Sequence, residues 1–339
     1  MIRVGILGFG FMGKMHFNCY QACDGVQIAA ICDADEKRLK DSGGMAGNIE
    51  GADKPLDLTG IELYSDFDRM LAKANLDAVS ITLPTYLHKD FSSRALKSGV
   101  HVLCEKPMGL NVADCDGMIE AAQQSGKVLQ IGHCIRFWPE YVHVKEIIDS
   151  GKYGKVLAMM LRRLTAAPTW GHDNWIQNIE RSGGVELDLH IHDTDFVQYV
   201  FGSPKAVSSF GATRPQGGLA HLMTQYHYED GQMISAEGGW MMKSGFGFEM
   251  SFNIVMEDAT IMFDSSRDPS FKICLDNGEV LTPKMDGDNG YVQEIKHFIK
   301  SVQGEKVPPI VTLESSRNSV RIVEAERESI RTGKRATLD

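Results

Sequence analysis

Lys106, Asp188 and His192 are the residues whose types and spacing point most directly to chemistry. Lys106 stands in Glu105-Lys106-Pro107, directly after the short apolar run His101 to Cys104. Asp188 and His192 lie four apart in Ser182-Gly183-Gly184-Val185-Glu186-Leu187-Asp188-Leu189-His190-Ile191-His192-Asp193. When a hydride leaves a carbinol carbon the hydroxyl proton must leave too. Such a site needs a base of suitable pKa and a cation or hydrogen-bond donor for the developing alkoxide. A lysine and a histidine meet those needs, and an aspartate on the same helical face can orient the ring and raise its pKa. Taken singly, these residue types are more often solvated or paired. Position gives them weight: the lysine follows a predicted strand, and Gly183-Gly184 opens the helix that carries the other two.

A hydride needs an acceptor, and the start of the chain reads as a site for one. Gly8-Phe9-Gly10-Phe11-Met12-Gly13 follows the apolar run Val4 to Leu7 and precedes a helix-like stretch, the strand, turn and helix context of a dinucleotide fingerprint. The first glycine permits the tight turn, the second lets backbone approach a pyrophosphate, and the third lets the helix pack closely on the strand. The helix N-terminus then faces the anion. Asp33 follows Gly13 by 20 residues, at the end of the second predicted strand. Its carboxylate accepts from ribose hydroxyls and repels a 2′-phosphate, so NAD is expected over NADP, with Lys37 and Arg38 leaving some tolerance for NADP.

The elements that must hold these residues alternate in the first half. Strands are expected over Ile2–Leu7, Gln27–Cys32, Ala78–Leu83, His101–Cys104 and Val128–Ile131, with helices near 14–22, 67–74, 89–98 and 112–125. Gly99 and Gly126 sit where helices stop, and the alternation reads as a doubly wound parallel α/β layer. After Glu140 a helix (141–150), a strand (156–164), a polar loop to Ser182 and a helix (185–200) are expected. Alternating, β-rich segments from 206 to 275 then suggest a largely antiparallel sheet, and helices over 291–302 and 313–332 close the chain. A Gly- and Asp-rich surface loop is expected over Asp41–Gly60.

The 339 residues exceed what one hydrophobic core usually serves, and 43% apolar with 24% charged residues reads as globular. A formal charge of −10 argues against a nucleic-acid partner. The seven cysteines lack metal or disulfide spacing, so buried free thiols are expected. No run suits a membrane span, and the first strand at Ile2 leaves no room for a signal peptide, so a cytoplasmic protein without membrane partners is expected.

The fingerprint, Asp33, Thr82-Leu83-Pro84-Thr85-Tyr86-Leu87-His88, Glu105-Lys106-Pro107 and the segment from Gly183 through His192 together resemble the Gfo/Idh/MocA oxidoreductases, over nearly the whole chain. The resemblance implies an α/β architecture. An N-terminal NAD-binding Rossmann domain (1–133) precedes a C-terminal α/β domain with an open, mainly antiparallel sheet (134–339) for substrate and oligomerisation, the last helices free to pack back on the first. It implies that Lys106 binds the reacting hydroxyl on the nicotinamide side, that His192 is the general base or acid, and that Asp188 helps hold the substrate. Thr82, Pro84, His88 and Glu105 would line the NAD groove, with Arg136, in Gly132-His133-Cys134-Ile135-Arg136-Phe137, near the nicotinamide and Trp175 beside the cofactor. The free sheet face often makes the subunit interface in this family, so a homodimer or homotetramer is expected.

Other readings of the same residues carry less. Asp188, His192 and Asp195 fall at i, i+4 and i+7, a stripe of potential metal ligands, but His190 points elsewhere, no further cluster joins them, and no metal is expected. Arg162 and Arg163 could fork onto an acidic sugar, although pairing with neighbouring carboxylates is commoner. Of the lone histidines only His172, in a polar loop, is placed to face substrate; the methionines from Met241 to Met262 suit sheet packing or an oligomer face. The leading expectation is an NAD-dependent dehydrogenase acting on a secondary hydroxyl of a sugar, polyol or sugar derivative. The alternatives are a redox-neutral glycoside hydrolase that oxidises, eliminates and re-reduces, and an NAD sensor without turnover.

Overall fold

The computed structural model describes residues 1–40, 43, 55–169, 172–214, 218–285 and 287–338. The surface loop expected over 41–60 falls outside them as far as residue 54, Gly43 apart. The chain forms two compact units, Met1–Cys134 with Asp288–Glu314, and Ile135–Gly287 with Ser315–Asp339.

In the first unit the elements run β1 (Ile2–Leu7), α1 (Phe11–Gln21), β2 (Val26–Cys32), α2 (Glu36–Lys40), β3 (Glu62–Tyr64), α3 (Phe67–Lys73), β4 (Ala78–Ile81), α4 (His88–Lys97), β5 (His101–Glu105), α5 (Val112–Ser125) and β6 (Leu129–Gly132). The six strands pair in parallel in the order β3-β2-β1-β4-β5-β6. That is the Rossmann order, and it places the ends of β1 and β4 at the point where the winding reverses. Strands covered on both faces read as continuous apolar runs, and Val4, Ile6, Val79, Ile81, Val102 and Leu103 are all fully buried. The helices stop where expected, with left-handed Gly99 and Gly126.

The second unit begins with α6 (Pro139–Ser150), β7 (Val156–Ala166) and α7 (Ile179–Ser182). The helix expected over 185–200 is in two parts: a π-helical turn, Glu186–His190, runs into α8 (Ile191–Phe201). Strands β8 (Ala206–Thr213), β9 (Leu219–His227), β10 (Met233–Met242), β11 (Phe248–Met256), β12 (Ala259–Asp264), β13 (Phe271–Leu275) and β14 (Val280–Leu281) follow. Helix α9 (Gly290–Val302) returns to the first unit, where Ile295, Phe298 and Ile299 pack with Phe17 and Tyr20 of α1. Helix α10 (Leu313–Thr332) and β15 (Ala336–Thr337) complete the second unit.

Nine strands form one sheet in the order β14-β13-β12-β11-β7-β10-β9-β8-β15. Only the β7–β10 pair is parallel. Helices α6, α8 and α10 cover one face: Tyr141 meets Phe196 and Phe252 edge-on, and Ser329 hydrogen-bonds the Ser209 backbone. The other face carries Arg162, Met223, Glu237 and Met241; Met223 is 50% and Met241 40% exposed. No helix among the described residues is long and apolar enough to cross a membrane.

Candidate active-site residues

In the first unit the turn after β1 is shaped by close backbone approach. Gly8 has φ +90°, and a Cβ at Gly13 would lie 2.0 Å from the Gly8 carbonyl oxygen. Gly10 differs, because the nearest atom to a Cβ there is Arg38 Nη1 at 3.5 Å, an ordinary contact. Nothing in the chain itself demands glycine at 10, which fits a ligand passing over that backbone. Helix α1 starts at Phe11 with Gly10 as its cap, no side chain bonds its first amides, and its first turn carries no acid. Those free N–H groups form an anion site of the kind a pyrophosphate uses. The Asp33 carboxylate at the end of β2 accepts from the Phe9 N–H at 2.7 Å and the Asp35 N–H at 2.9 Å, with Arg38 Nη1 3.7 Å away. The donors, the bare turn and the acid together fit the pyrophosphate and adenosine ribose of NAD.

Thr82, expected to line the groove, donates its hydroxyl to the Gly8 carbonyl at 2.6 Å, bracing the turn. Pro84 caps a short 3₁₀ turn, Thr85–Leu87. His88 is buried, with Nδ1 2.8 Å from the Pro107 carbonyl and Nε2 2.8 Å from the Leu83 carbonyl. Burial pushes its pKa down, opposed by those two bonds. A neutral ring has a single N–H, so His88 donates to one of these two carbonyls, which follow β4 and β5. Glu105 is buried and Lys106 half-buried; the Glu105 Oε2 accepts from the Lys106 backbone N–H at 3.2 Å. The other carboxylate oxygen lies 2.9 Å from His16 Nε2. The sequence offered one sign of that partner, a polar residue on the inward face of α1, and gave no sign of what it meets.

In the second unit, every residue from Ser182 to Gln198 is buried except Asp188 and His192. Gly183 and Gly184, with φ +77° and +74°, take the left-handed turn that starts this segment. The Arg327 guanidinium holds it by donating to the Gly183 carbonyl and to Glu186. The π-helical turn then carries Asp188, and His192 lies in the first turn of α8. Such widened turns are frequent at functional sites.

These features are shared with known proteins. Residues 2–133 match the oxidoreductase family with the NAD-binding Rossmann fold, and 141–262 match the C-terminal domain of the same family. The chain belongs to the Gfo/Idh/MocA family. The myo-inositol 2-dehydrogenase of Thermotoga maritima is 25% identical over 100% of this chain and 99% of its own. A 2,7-anhydro-N-acetylneuraminate hydratase of Mediterraneibacter gnavus is 29% identical over 69% of this chain and 57% of its own. The fold is also that of a levoglucosan dehydrogenase solved with NADH and levoglucosan, with TM-score 0.82, 20% identity and 99% of each chain covered.

As a Gfo/Idh/MocA protein the chain is an NAD-dependent oxidoreductase, and several resemblance-based expectations meet specific surroundings. Arg136, expected near the nicotinamide, forks onto Asp195 at 2.8 and 2.7 Å, bonds Ser315 at 3.0 Å, and stacks 4.7 Å from the Tyr199 ring. Its guanidinium serves the interior of the second unit, and Asp195 is withdrawn from the stripe of potential metal ligands. Arg163 likewise forks onto Asp193, while Arg162 bridges Glu237 and Glu249 at 3.0 Å each, so neither arginine is left to read an acidic sugar. Trp175 is half-buried against Ile176, Val185, Leu189 and Trp240, after the left-handed pair Asp173 and Asn174. The His172 side chain lies outside the described residues. The free cysteines are buried apart from Cys274, which is partly exposed.

Proposed function

We propose that this oxidoreductase oxidises a secondary hydroxyl of a cyclic polyol or sugar, with Lys106, His192 and Asp188 as its catalytic and substrate-holding residues. The observation that carries the reading is that Asp188 and His192 alone are partly exposed in an otherwise buried run of residues 182–198. NAD held by the Gly8–Gly13 turn and Asp33 supplies the hydride acceptor.

The chain's own residues handle the proton and the charge. The Lys106 ammonium donates to the substrate oxygen and stabilises negative charge as it develops there. His192 accepts the hydroxyl proton, and Asp188 hydrogen-bonds a neighbouring hydroxyl and steadies the imidazolium that results. The inositol dehydrogenase relative, alike over its full length, directs the substrate class toward cyclic polyols. The test is absorbance of reduced nicotinamide with NAD and a panel of inositols, free sugars, sugar acids and glycosides. A sustained rise with a cyclic polyol or sugar is expected, and none with any member overturns the reading.

A redox-neutral reaction is the second reading, and the hydratase relative favours it. The same lysine and histidine would serve it, so product analysis in those wells discriminates: cleavage or hydration without net reduced nicotinamide selects it. The sheet face bearing Phe210, Met223, Met233 and Met241, each at least 40% exposed, is proposed as a homodimer or homotetramer interface. A monomer in sedimentation removes that assignment.

A further inference from the structure

Glu105 is a buried acid of the first unit. It is a carboxylate 6% exposed, at the end of β5, in a seat so close that a Cβ on Gly132 would lie 3.2 Å from its Oε1. A chain of hydrogen bonds converges on it. Tyr20 and Ser80 oxygens are 2.7 Å apart, Ser80 Oγ is 3.0 Å from His16 Nδ1, and His16 Nε2 is 2.9 Å from Glu105 Oε1. Tyr20, Ser80 and His16 are all buried. Burial holds Tyr20 as a phenol, so it donates to Ser80. Ser80 then gives its own proton to Nδ1, which leaves the Nε2 proton for the carboxylate.

We propose that His16 is a positioning residue for Lys106: by hydrogen-bonding Glu105 it holds that carboxylate in place, and with it the backbone from which the lysine side chain projects. The inference rests on the reading of Lys106 as the catalytic cation. Burial on its own raises the Glu105 pKa; the His16 bond and the neighbouring charges bring it below the ordinary carboxylate range. The groups facing it are His16 from α1, Lys106 beside it and His88 from α4. The neutral Cys19, Cys104 and Tyr291 face it from α1, β5 and α9. Its second oxygen holds the Lys106 backbone N–H.

The test compares the full-length protein with His16→Leu, His16→Gln, Glu105→Gln and Lys106→Ala. In His16→Leu, the infrared carbonyl stretch of a buried protonated carboxyl should appear at neutral pH and vanish in the His16→Leu/Glu105→Gln double variant. This readout needs neither substrate nor cofactor. On the substrate found in the panel, kcat should fall about ten- to a hundredfold, the scale on which misplacing a catalytic group is felt. The acid limb of the kcat profile should move up by at least about one pH unit, the scale on which burial shifts a carboxylate. NAD affinity should hold, and His16→Gln, which retains an N–H donor, should recover much of the loss. Absence of the new band together with a parental pH profile in His16→Leu overturns the proposal. Should that variant not fold, Glu105→Gln decides, since parental kcat and acid limb in it also overturn the proposal. Loss of turnover in Lys106→Ala beside parental behaviour in the others refutes only the positioning role, whereas retained turnover in Lys106→Ala refutes the catalytic reading itself.

Discussion

The Arg136 guanidinium and the Asp195 carboxylate form a two-pronged ion pair with side chains 2% and 1% exposed, and Ser319 adds a hydrogen bond to Asp195 at 2.7 Å. Asp195 sits three residues beyond His192 on α8, so the pair anchors the helix that presents the proposed base. Removing one partner strands the other charge in the interior. Asp195→Ala should therefore cost about 3–5 kcal/mol. Urea unfolding followed by circular dichroism measures it, and a loss under about 1 kcal/mol would show that the pair contributes no more than an exposed one.

Lys106→Ala and His192→Ala should each lower kcat by about two to four orders of magnitude, the span expected for a positioned proton acceptor or charge stabiliser. Neither belongs to the turn that holds the dinucleotide, so NAD affinity measured by titration calorimetry should change little. Near-parental turnover in both variants would leave the oxidation without its proton acceptor and its cation.

The two glycines of the fingerprint should separate stability from binding. Gly13→Ala drives a Cβ to 2.0 Å from the Gly8 carbonyl oxygen, so the turn must deform and both melting temperature and NAD affinity should drop. Gly10→Ala meets nothing closer than 3.5 Å. Its stability should stay within about 0.5 kcal/mol of the parent, as for an unstrained surface change, while NAD binding is lost. Equal effects of the two substitutions on both properties would contradict this division.

The second unit should lose stability as pH rises through neutrality. Burial disfavours charged His190, but the Glu326 carboxylate 3.4 Å away, together with Asp193 and Glu186, outweighs it, so the folded pKa lies above the ordinary 6.5. A group whose pKa is raised on folding stabilises below its unfolded value and loses that contribution as pH climbs through the folded one. Burial raises Glu186 as well, which acts in the same direction from a lower pH. Melting temperatures from pH 5 to 9 in parent and His190→Asn provide the check. The parent should show a decline above 6.5 that the variant lacks, and parallel curves would refute the assignment.

Much of the first unit was legible because its signals are local. The strand, glycine turn and helix at the N-terminus occupy consecutive residues, and the helix expected over 112–125 spans Val112–Ser125 in the structure. The parallel strands announce themselves as apolar runs because both faces are covered. β3 escaped notice: its three residues, Glu62, Leu63 and Tyr64, make no apolar run, and two of them are exposed. The π-helical turn at Glu186–His190 escaped too, because a hydrophobic pattern around an added residue still reads as ordinary helix.

By itself the sequence determined the family, the nicotinamide cofactor, the doubly wound character of the first unit and the identity of Lys106, Asp188 and His192 as the residues to test. The glycine turn and the Asp188–His192 pair rest on spacing within a short stretch, where backbone geometry dictates which atoms are neighbours. The tertiary structure decided the partners. That Arg136 belongs to Asp195, Arg163 to Asp193, and His16 to Glu105 across 89 residues depends on which side chains share a low-dielectric interior. A buried charge must find its counterpart wherever the fold brings one, and no local pattern encodes that choice.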